Sequence, residues 1–462
     1  MADGTSFVEA KKRKAAPLFS TRNGWFYVLK IISTYLLTWT LFWASWNKDW
    51  ATQQRAIAKL GTHFVRSDSP MVTTLMWNVI TFTLLQAGLI YLADFSADFR
   101  VFCLFWVHLP CLFGSVAFYH YKYGATECFK RLSFSSLLIW LKNWIAMQGI
   151  ALVCLTQTTT FYFLGHIIQP YVLPKSWQFS VRFPTEVYEE YLQICVYFSA
   201  GLFALCLVTL PLWKRGYKVS MESAGRKNIN ISYTELFMEL MYQTAQSGGF
   251  NFTMIPLALA LQNMAGFRVN CIHLLFAAAE IALANSSVQY KFCIMHQLMH
   301  EVKPLYAMTH VEHHICKSIH PTSSATGLWE NWMMGQSPFI VSPIGLGPIP
   351  WSMLQMVYAG ANIVVHTMWP SQYLLQWHTL HHTILSDVYN VNIPSPYDME
   401  HSKSVAKLQD KLKEASLFVR YEALSDIAAF ALIAVGALIF HYGFGIGAGR
   451  VDWSRADWVL VE

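Results

Sequence analysis

The sequence predicts an all-α protein, a multi-pass bundle of transmembrane helices. Three observations predict this class: the low fraction of charged residues, the high content of aromatic residues, and the arrangement of apolar residues along the chain. Of the 462 residues, 54% are apolar and only 13% are charged, whereas soluble domains usually carry about 25% charged residues. Eighteen tryptophans and twenty-two tyrosines suit aromatic belts at two membrane surfaces. The apolar residues are also gathered into runs that match the thickness of a bilayer.

Eight apolar runs are long enough to cross a hydrocarbon core of ~30 Å. They are 25–46, 71–93, 100–120, 134–168, 190–213, 252–290, 337–369 and 424–446. The first run is too long for the core of a signal peptide and lacks a small-residue cleavage site, so we expect it to remain as a helix. The run 134–168 suits either one tilted pass or two short passes.

Two of these runs are interrupted. The run 252–290 breaks at 262–270, QNMAGFRVN, which predicts a hairpin of two helices. Several prolines and glycines fall within 337–358, and they favour an irregular or interfacial segment before a helix.

The chain is predicted to have four parts. A basic tail, residues 1–24, contains KKRK at 11–14. A multi-pass membrane region follows over 25–250, and then a region rich in histidine over 251–400. The last part, 401–462, combines a segment of mixed charge and leucine (403–422), predicted to lie on the membrane surface, with a final membrane helix.

Positive charge predicts the orientation of the bundle. KKRK precedes the first run and WKRGYKVSMESAGRK (213–227) follows the fifth, and such clusters favour the cytosolic side. The hairpin 252–290 would then return the chain to the cytosol just before His296, so the histidine-rich region is predicted to face the cytosol.

Charge and cysteine usage exclude other classes. The net charge of +6 is modest and forms no basic face, so nucleic acid is not an expected partner. The nine cysteines are scattered without a CxxC pair, which indicates small buried apolar residues in a reducing compartment.

Ten of the seventeen histidines lie between residues 296 and 382, mostly in ordered groups. The groups are HQLMH (His296, His300), HVEHH (His310, His313, His314) and HTLHH (His378, His381, His382), with Asn362 and His366 in NIVVH between the last two. Spacings of three and four place side chains on one face of a helix. Neutral imidazole is a ligand for iron, zinc, copper and nickel.

Eight imidazoles in three groups exceed what one four-coordinate zinc requires, so the pattern predicts a cap that holds two metal ions. The zinc-protease pattern HExxH is excluded because its general base, Glu, is replaced by Gln297.

The three groups, in this order, resemble the histidine boxes HxxxH, HxxHH and HxxHH of the fatty acid hydroxylase/sterol desaturase superfamily, which are integral-membrane di-iron oxygenases. The resemblance covers roughly residues 270–400. It departs from the family at Gln297, commonly Arg in the sterol-type branch, and at LSDVYNVNIPSPYDMEHS (385–402), which replaces the usual ending.

The resemblance implies two iron ions, with dioxygen as co-substrate, and a set of metal ligands. The ligands would be His296, His300, His310, His313, His314, His366, His378, His381 and His382, with Asn362, Glu312 and His320 as further candidates, either as ligands or as groups that orient a ligand. Glu312 has a different helical phase from its neighbouring histidines, so it either orients a ring or is solvated. Glu330 and Asp387 are weaker candidates for orienting groups, and His320 suits a structural role better.

The resemblance also implies a function: hydroxylation, or else desaturation, of a lipid such as a sterol, sphingoid or fatty acyl chain, in the endoplasmic reticulum membrane. Electrons would come from separate proteins, cytochrome b5 and an NAD(P)H reductase, because no fused cytochrome b5 motif is present. A metal transporter is less consistent with so few acidic residues within the spans. A non-catalytic lipid-binding scaffold would have no need of three complete boxes.

Overall fold

The structure is a computed structural model that describes residues 48–66, 69–93, 95–154, 178–182, 185–223, 230–246, 267–270, 294–316, 327–333, 381–382 and 457–460. The predicted segments 25–46, 337–369, 403–422 and 424–446 lie outside these residues. Within them the chain is mostly helical, as predicted.

The helices begin at α1, Lys48–Gly61, which a 3₁₀ turn (Thr62–Phe64) follows. The others are α2 (Met71–Leu92), α3 (Ala97–Cys103), α4 (Leu109–Tyr123), α5 (Ala125–Phe129), α6 (Phe134–Cys154), α7 (Thr185–Val208), α8 (Leu210–Ser223), α9 (Tyr233–Gln243), α10 (294–301), α11 (Lys303–Leu305), α12 (Val311–His314) and α13 (Leu328–Met333). The strands are β1 (Gln178–Arg182), β2 (Phe267–Asn270) and β3 (Asp457–Leu460).

Two helical rods among the described residues are long and apolar enough to cross a membrane. One is α2, and the other runs from Ala97 to Tyr123 as α3, a π-helical turn (Leu104–His108) and α4. The π turn precedes Pro110, whose ring nitrogen has no hydrogen to donate to the preceding turn. The second rod ends at Gly124, which has a φ of 86°, a conformation that glycine adopts without strain.

The elements that meet at one end of these rods include the helices that carry the histidines. Asn78, near the start of α2, donates to the carbonyl of Met308 at 2.7 Å. Tyr119, near the end of α4, donates to Glu312 at 3.4 Å. We call residues 294–316, 327–333 and 381–382 the cap, and the end of the rods that they touch the cap end.

The loop between α2 and α3 lies at the opposite end, where α7 begins. The backbone N–H and the hydroxyl of Ser96 both donate to Glu189, at 2.6 and 2.9 Å. Further along both helices, Tyr197 of α7 packs against Phe102 of α3 with ring centroids 6.1 Å apart, so α7 runs alongside the second rod toward the cap end. The basic residues Lys214 and Arg215 lie on α8, which follows it; the cytosolic orientation predicted from charge stays a prediction.

A small antiparallel sheet, in the order β2-β1-β3, departs from the all-α prediction. Phe179 of β1 pairs with Val269 on one side and with Leu460 on the other. QFSVR and FRVN alternate apolar and polar residues and include the strand formers Val and Phe, so both suit a strand. FRVN, which the sequence predicts to lie in the turn of the 252–290 hairpin, instead forms β2. Because β1 ends just before α7, the sheet lies at the end away from the cap.

Candidate metal centre

Helix α10 positions the first pair of histidines. His296 and His300 are one turn apart, and their ring centroids are separated by 5.1 Å. Gln297, which replaces the Glu of the protease motif, faces elsewhere and donates to Glu301 at 3.0 Å. Glu301 also contacts Arg55 and lies 3.7 Å from Lys59, so ion pairs join this face of α10 to α1.

A π-helical turn positions the second group. It spans Tyr306–His310, and the N–H of Val311 closes it on the carbonyl of Tyr306. The turn continues directly into α12, which places His314 one turn beyond His310. Single π turns inside helices recur at functional sites, because the extra residue redirects the side chains that follow.

The rings of five histidines from three segments converge through their Nε2 atoms. Nε2 of His310 lies 2.8 Å from that of His296 and 2.8 Å from that of His314. Nε2 of His381 lies 3.3 Å from that of His314 and 3.0 Å from that of His300. The third box, represented by residues 381–382, thus meets the first two.

These contacts cannot all be hydrogen bonds. A ring nitrogen carries either one hydrogen or one in-plane lone pair, so it takes part in one good hydrogen bond. Since His310, His314 and His381 each use Nε2 in two contacts, at most two of the four contacts can be hydrogen bonds. A cation at the centre would instead accept every lone pair.

The spacing suits a metal ion. The candidate ligand atoms of His296, His300, His310, His314 and His381 all lie within 4.8 Å of one another. With metal–nitrogen distances of about 2.0–2.1 Å, ligands at right angles are about 3 Å apart and opposite ligands are about 4 Å apart. The cluster could therefore hold a metal ion. His313, His314 and His382 form a second group on the same criterion, and His314 belongs to both.

Burial keeps these imidazoles in the neutral form that binds metals. It lowers the pKa of His300 to about 3, with the neighbouring His313 a smaller cause. It also lowers the pKa values of His310, His314 and His381 well below the usual range, and the adjacent imidazoles lower them further. His296, His310 and His381 are completely buried, so bulk water is kept from this side of the cluster.

Glu330 lies behind His310. Oε1 of Glu330 is 2.9 Å from Nδ1 of His310, on the side of the ring away from the cluster. Both atoms are buried, and they approach each other without the alignment of a hydrogen bond, while the other oxygen of Glu330 accepts from the N–H of Gly327 at 3.3 Å. A carboxylate in this place fixes the tautomer and direction of a metal-binding ring.

Replacing Glu330 by alanine is therefore expected to weaken metal binding about 10- to 100-fold, the usual cost of losing such a carboxylate. Glu330→Gln keeps an oxygen at this position and should cost less. Metal titration of the purified apoprotein measures both. Glu127→Ala, which removes an exposed carboxylate 3.7 Å from Lys130, is the control. Equal affinities in Glu330→Ala and the control would show that Glu330 does not orient the ring.

Glu312 lies on the opposite face of α12, turned toward the rods. It accepts from the N–H of Leu328 at 2.7 Å and from Asn78 and Tyr119 at 3.3 and 3.4 Å. It is 1% exposed, so the interpretation as a solvated group is wrong. Burial raises its pKa to about 7 although these three donors favour the charged form. Glu312 joins the cap to the rods and to α13.

Asn78 completes this junction from within α2. Its amide group donates to Met308 and Glu312, and its oxygen accepts from the indole N–H of Trp140 at 2.8 Å. Polar residues within a membrane span usually face the protein interior and mark functional regions. That rule could have singled out Asn78 from the sequence.

Asn78→Leu is expected to destabilise the protein because it leaves the buried N–H of Trp140 without its acceptor and removes the donor to the carbonyl of Met308 and to Glu312. Each such loss costs about 1–3 kcal/mol. Unfolding in mild detergent, followed by circular dichroism, measures the effect. Thr81→Val on the same helix removes only the hydrogen bonds of a hydroxyl to the backbone carbonyls of Trp77 and Asn78 and serves as the control. Similar stability of the two variants would contradict this role of Asn78.

The remaining predicted site residues lie outside the described residues. They are His320, Asn362, His366, His378 and Asp387. The described cysteines agree with the sequence-based interpretation, since Cys103, Cys111, Cys128 and Cys206 are free and buried and Cys316 is free and partly buried.

No family model matches the chain, and comparisons with curated proteins and with solved structures find no match either. The resemblance to the fatty acid hydroxylase/sterol desaturase superfamily therefore depends on the histidine boxes alone.

Proposed function

We propose that this protein is a membrane-bound di-iron oxygenase that hydroxylates, or else desaturates, a lipid such as a sterol, sphingoid or fatty acyl chain. One observation carries the proposal: seven histidines drawn from all three boxes meet in one cluster, in two groups that share His314. Two groups of converging imidazoles suit two metal ions better than one.

The chain's own residues would hold and protect the metal ions. The neutral, buried imidazoles supply the ligands, and Glu330 orients His310. Iron held in this way would supply the activation of dioxygen needed to break an unactivated C–H bond. The described ligand groups contain no carboxylate, which supports an oxygenase of the histidine type over a transporter site built with Asp or Glu. Hydroxylation is our first choice because it needs one hydrogen abstraction followed by oxygen transfer, whereas desaturation, which is also a two-electron oxidation, needs a second hydrogen abstraction.

A lipid substrate is supported by the position of the cluster. The cap lies directly against α2 and α4, which are candidate membrane spans. Large apolar side chains on these helices, such as Leu84, Phe105 and Phe113, are exposed and would face lipid. We propose a multi-pass protein of the endoplasmic reticulum with the cap on the cytosolic side. There, cytochrome b5 and an NAD(P)H reductase could deliver electrons.

The test combines metal analysis with product analysis. Protein purified in mild detergent, and a His313→Ala/His381→Ala double variant, are analysed for metals by elemental mass spectrometry. Both are then incubated with isotopically labelled dioxygen, reductant and mixed membrane lipids. We expect about two iron ions per chain in the first protein only, as two sites predict, and labelled oxygen in a lipid product. His63→Ala, which removes an exposed histidine, is the control.

Other outcomes would redirect the proposal. Bound zinc alone would call for reconstitution with ferrous iron before the activity assay, since zinc binds such sites more tightly than iron. Iron that binds and exchanges across vesicle membranes without any lipid product would favour a transporter. Absence of metal in both proteins would overturn the oxygenase and favour a lipid-binding scaffold.

A further inference from the structure

Three tryptophans form a cluster beside the metal centre. The ring centroids of Trp329 and Trp144 are 5.4 Å apart, those of Trp329 and Trp140 are 5.7 Å apart, and those of Trp140 and Trp144 are 6.5 Å apart. Each ring thus contacts the other two at distances usual for paired aromatic side chains. We call Trp140, Trp144 and Trp329 the tryptophan triad.

The triad begins next to the metal centre. Trp329 directly precedes Glu330 in α13, and Glu330 lies 2.9 Å from the ring of His310. Trp140 is fixed from the other side by its hydrogen bond to Asn78. Trp329 is therefore connected to the candidate ligand His310 through the backbone and the carboxyl group of Glu330.

The triad ends near the surface. Trp329 and Trp140 are 3% and 4% exposed, whereas Trp144 is partly exposed. Trp144 also lies one residue after Asn143, which exchanges hydrogen bonds with the backbone of Arg66. The three rings therefore form a continuous path from Trp329, the residue before Glu330, to a partly exposed side chain on α6.

Packing alone does not require this composition. The same core already contains phenylalanine, and Phe82 packs edge-on against Trp329 with ring centroids 5.1 Å apart. Indole differs from a phenylalanine ring in one relevant way: it gives up an electron far more readily. Three indoles in contact near an oxidising centre would be prone to oxidation. Their presence there is therefore best explained if losing an electron is their role.

We propose that the tryptophan triad is a one-electron supply path that protects the metal centre when dioxygen is activated without substrate, an inference that depends on the proposed function. With iron bound, the centre would supply the oxidant, and the indole of Trp329 would give up one electron to it. The electron vacancy then passes to Trp140 and Trp144. At Trp144 a small one-electron reductant of the ascorbate class refills it, so no bond forms or breaks within the protein.

The path has a signature other than activity. Without a surface reductant, the vacancy stays on the triad, and the indole radical combines with dioxygen to give oxygenated tryptophan. Peptide mass spectrometry locates such products residue by residue. Trp144 should carry them in the intact protein because it is the last member of the path, and added ascorbate should suppress them.

The experiment exposes substrate-free, ferrous-loaded protein to air and follows three quantities: oxygenated tryptophan, oxidised ligand histidine and retained metal. Trp144→Phe is compared with Trp77→Phe, a matched control whose indole donates to Ser136 and contacts no member of the triad in the described interactions. In Trp144→Phe we expect histidine oxidation and metal loss to be several-fold faster than in the intact protein. Trp77→Phe should behave like the intact protein.

A second variant guards against misfolding. Trp329→Phe keeps an aromatic ring beside Phe82 and removes the first member of the path, so oxygenated Trp144 should fall several-fold in it. The inference is overturned if Trp144→Phe loses metal no faster than Trp77→Phe, or if oxygenation of Trp144 persists in Trp329→Phe. A ferrous protein that consumes no dioxygen would overturn the proposed function itself and the path with it.

Discussion

Replacing His314 by alanine should release both ions of the proposed two-metal centre, because His314 is the one histidine shared by the two candidate ligand groups among the described residues. His310→Ala and His313→Ala each alter one group and should leave about half of the bound metal, as independent sites predict. Elemental mass spectrometry of the three purified variants measures this difference directly. Activity should be lost in all three, since a two-metal centre needs both ions.

His120→Ala is the control for this series, because His120 is an exposed histidine on α4 outside the cluster. Its metal content should equal that of the intact protein. If His314→Ala retained half of the metal, or if His313→Ala lost all of it, the two groups would not correspond to two ions.

Among the described glycines, Gly327 is the one at which replacement by alanine should disrupt the structure most. A Cβ atom at this position would lie 1.9 Å from the backbone oxygen of Thr309 and 3.0 Å from a carboxylate oxygen of Glu312. Neither neighbour is a flexible chain end, since Glu312 is held by three donors. Overpacking of a dense core costs about 1–3 kcal/mol and sometimes more.

The expected result is a lower unfolding temperature together with reduced metal content, because the displacement would move Glu330 away from His310. Gly149→Ala on α6 is the matched control, since nothing lies within 4 Å of its added Cβ. It should be neutral or stabilise the helix by about 0.5–1 kcal/mol. Thermal unfolding in detergent compares the two, and equal behaviour would mean that the cap tolerates expansion at Gly327.

Much of the helical architecture could be predicted from the sequence because hydrophobicity is a local property. The run 71–93 matches α2, and 100–120 lies within the rod from Ala97 to Tyr123. The fifth run instead divides into α7 and α8, which meet near Thr209, whose hydroxyl accepts from the indole of Trp213 at 2.8 Å. Such breaks depend on particular side-chain contacts, which periodicity does not report.

The histidine groups could be predicted for the same reason: their spacing of three and four is visible in the chain. Their junction with the rods could not, because Asn78, Tyr119 and Trp140 are distant in sequence from Glu312. The sheet was missed because its strands are short and far apart, and short apolar runs do not distinguish strand from helix.

The sheet also constrains how the protein is made. Its central strand, β1, is complete once residue 182 has been synthesised, but its partner β3 starts only at Asp457. Strand pairs so distant in sequence form slowly, because closing the long loop between them costs chain entropy before any contact between the strands offsets it. One edge of β1 therefore stays open throughout most of translation, exposed to pairing with other chains. Truncating the chain before Asp457 should leave that edge open permanently and make the product prone to aggregation.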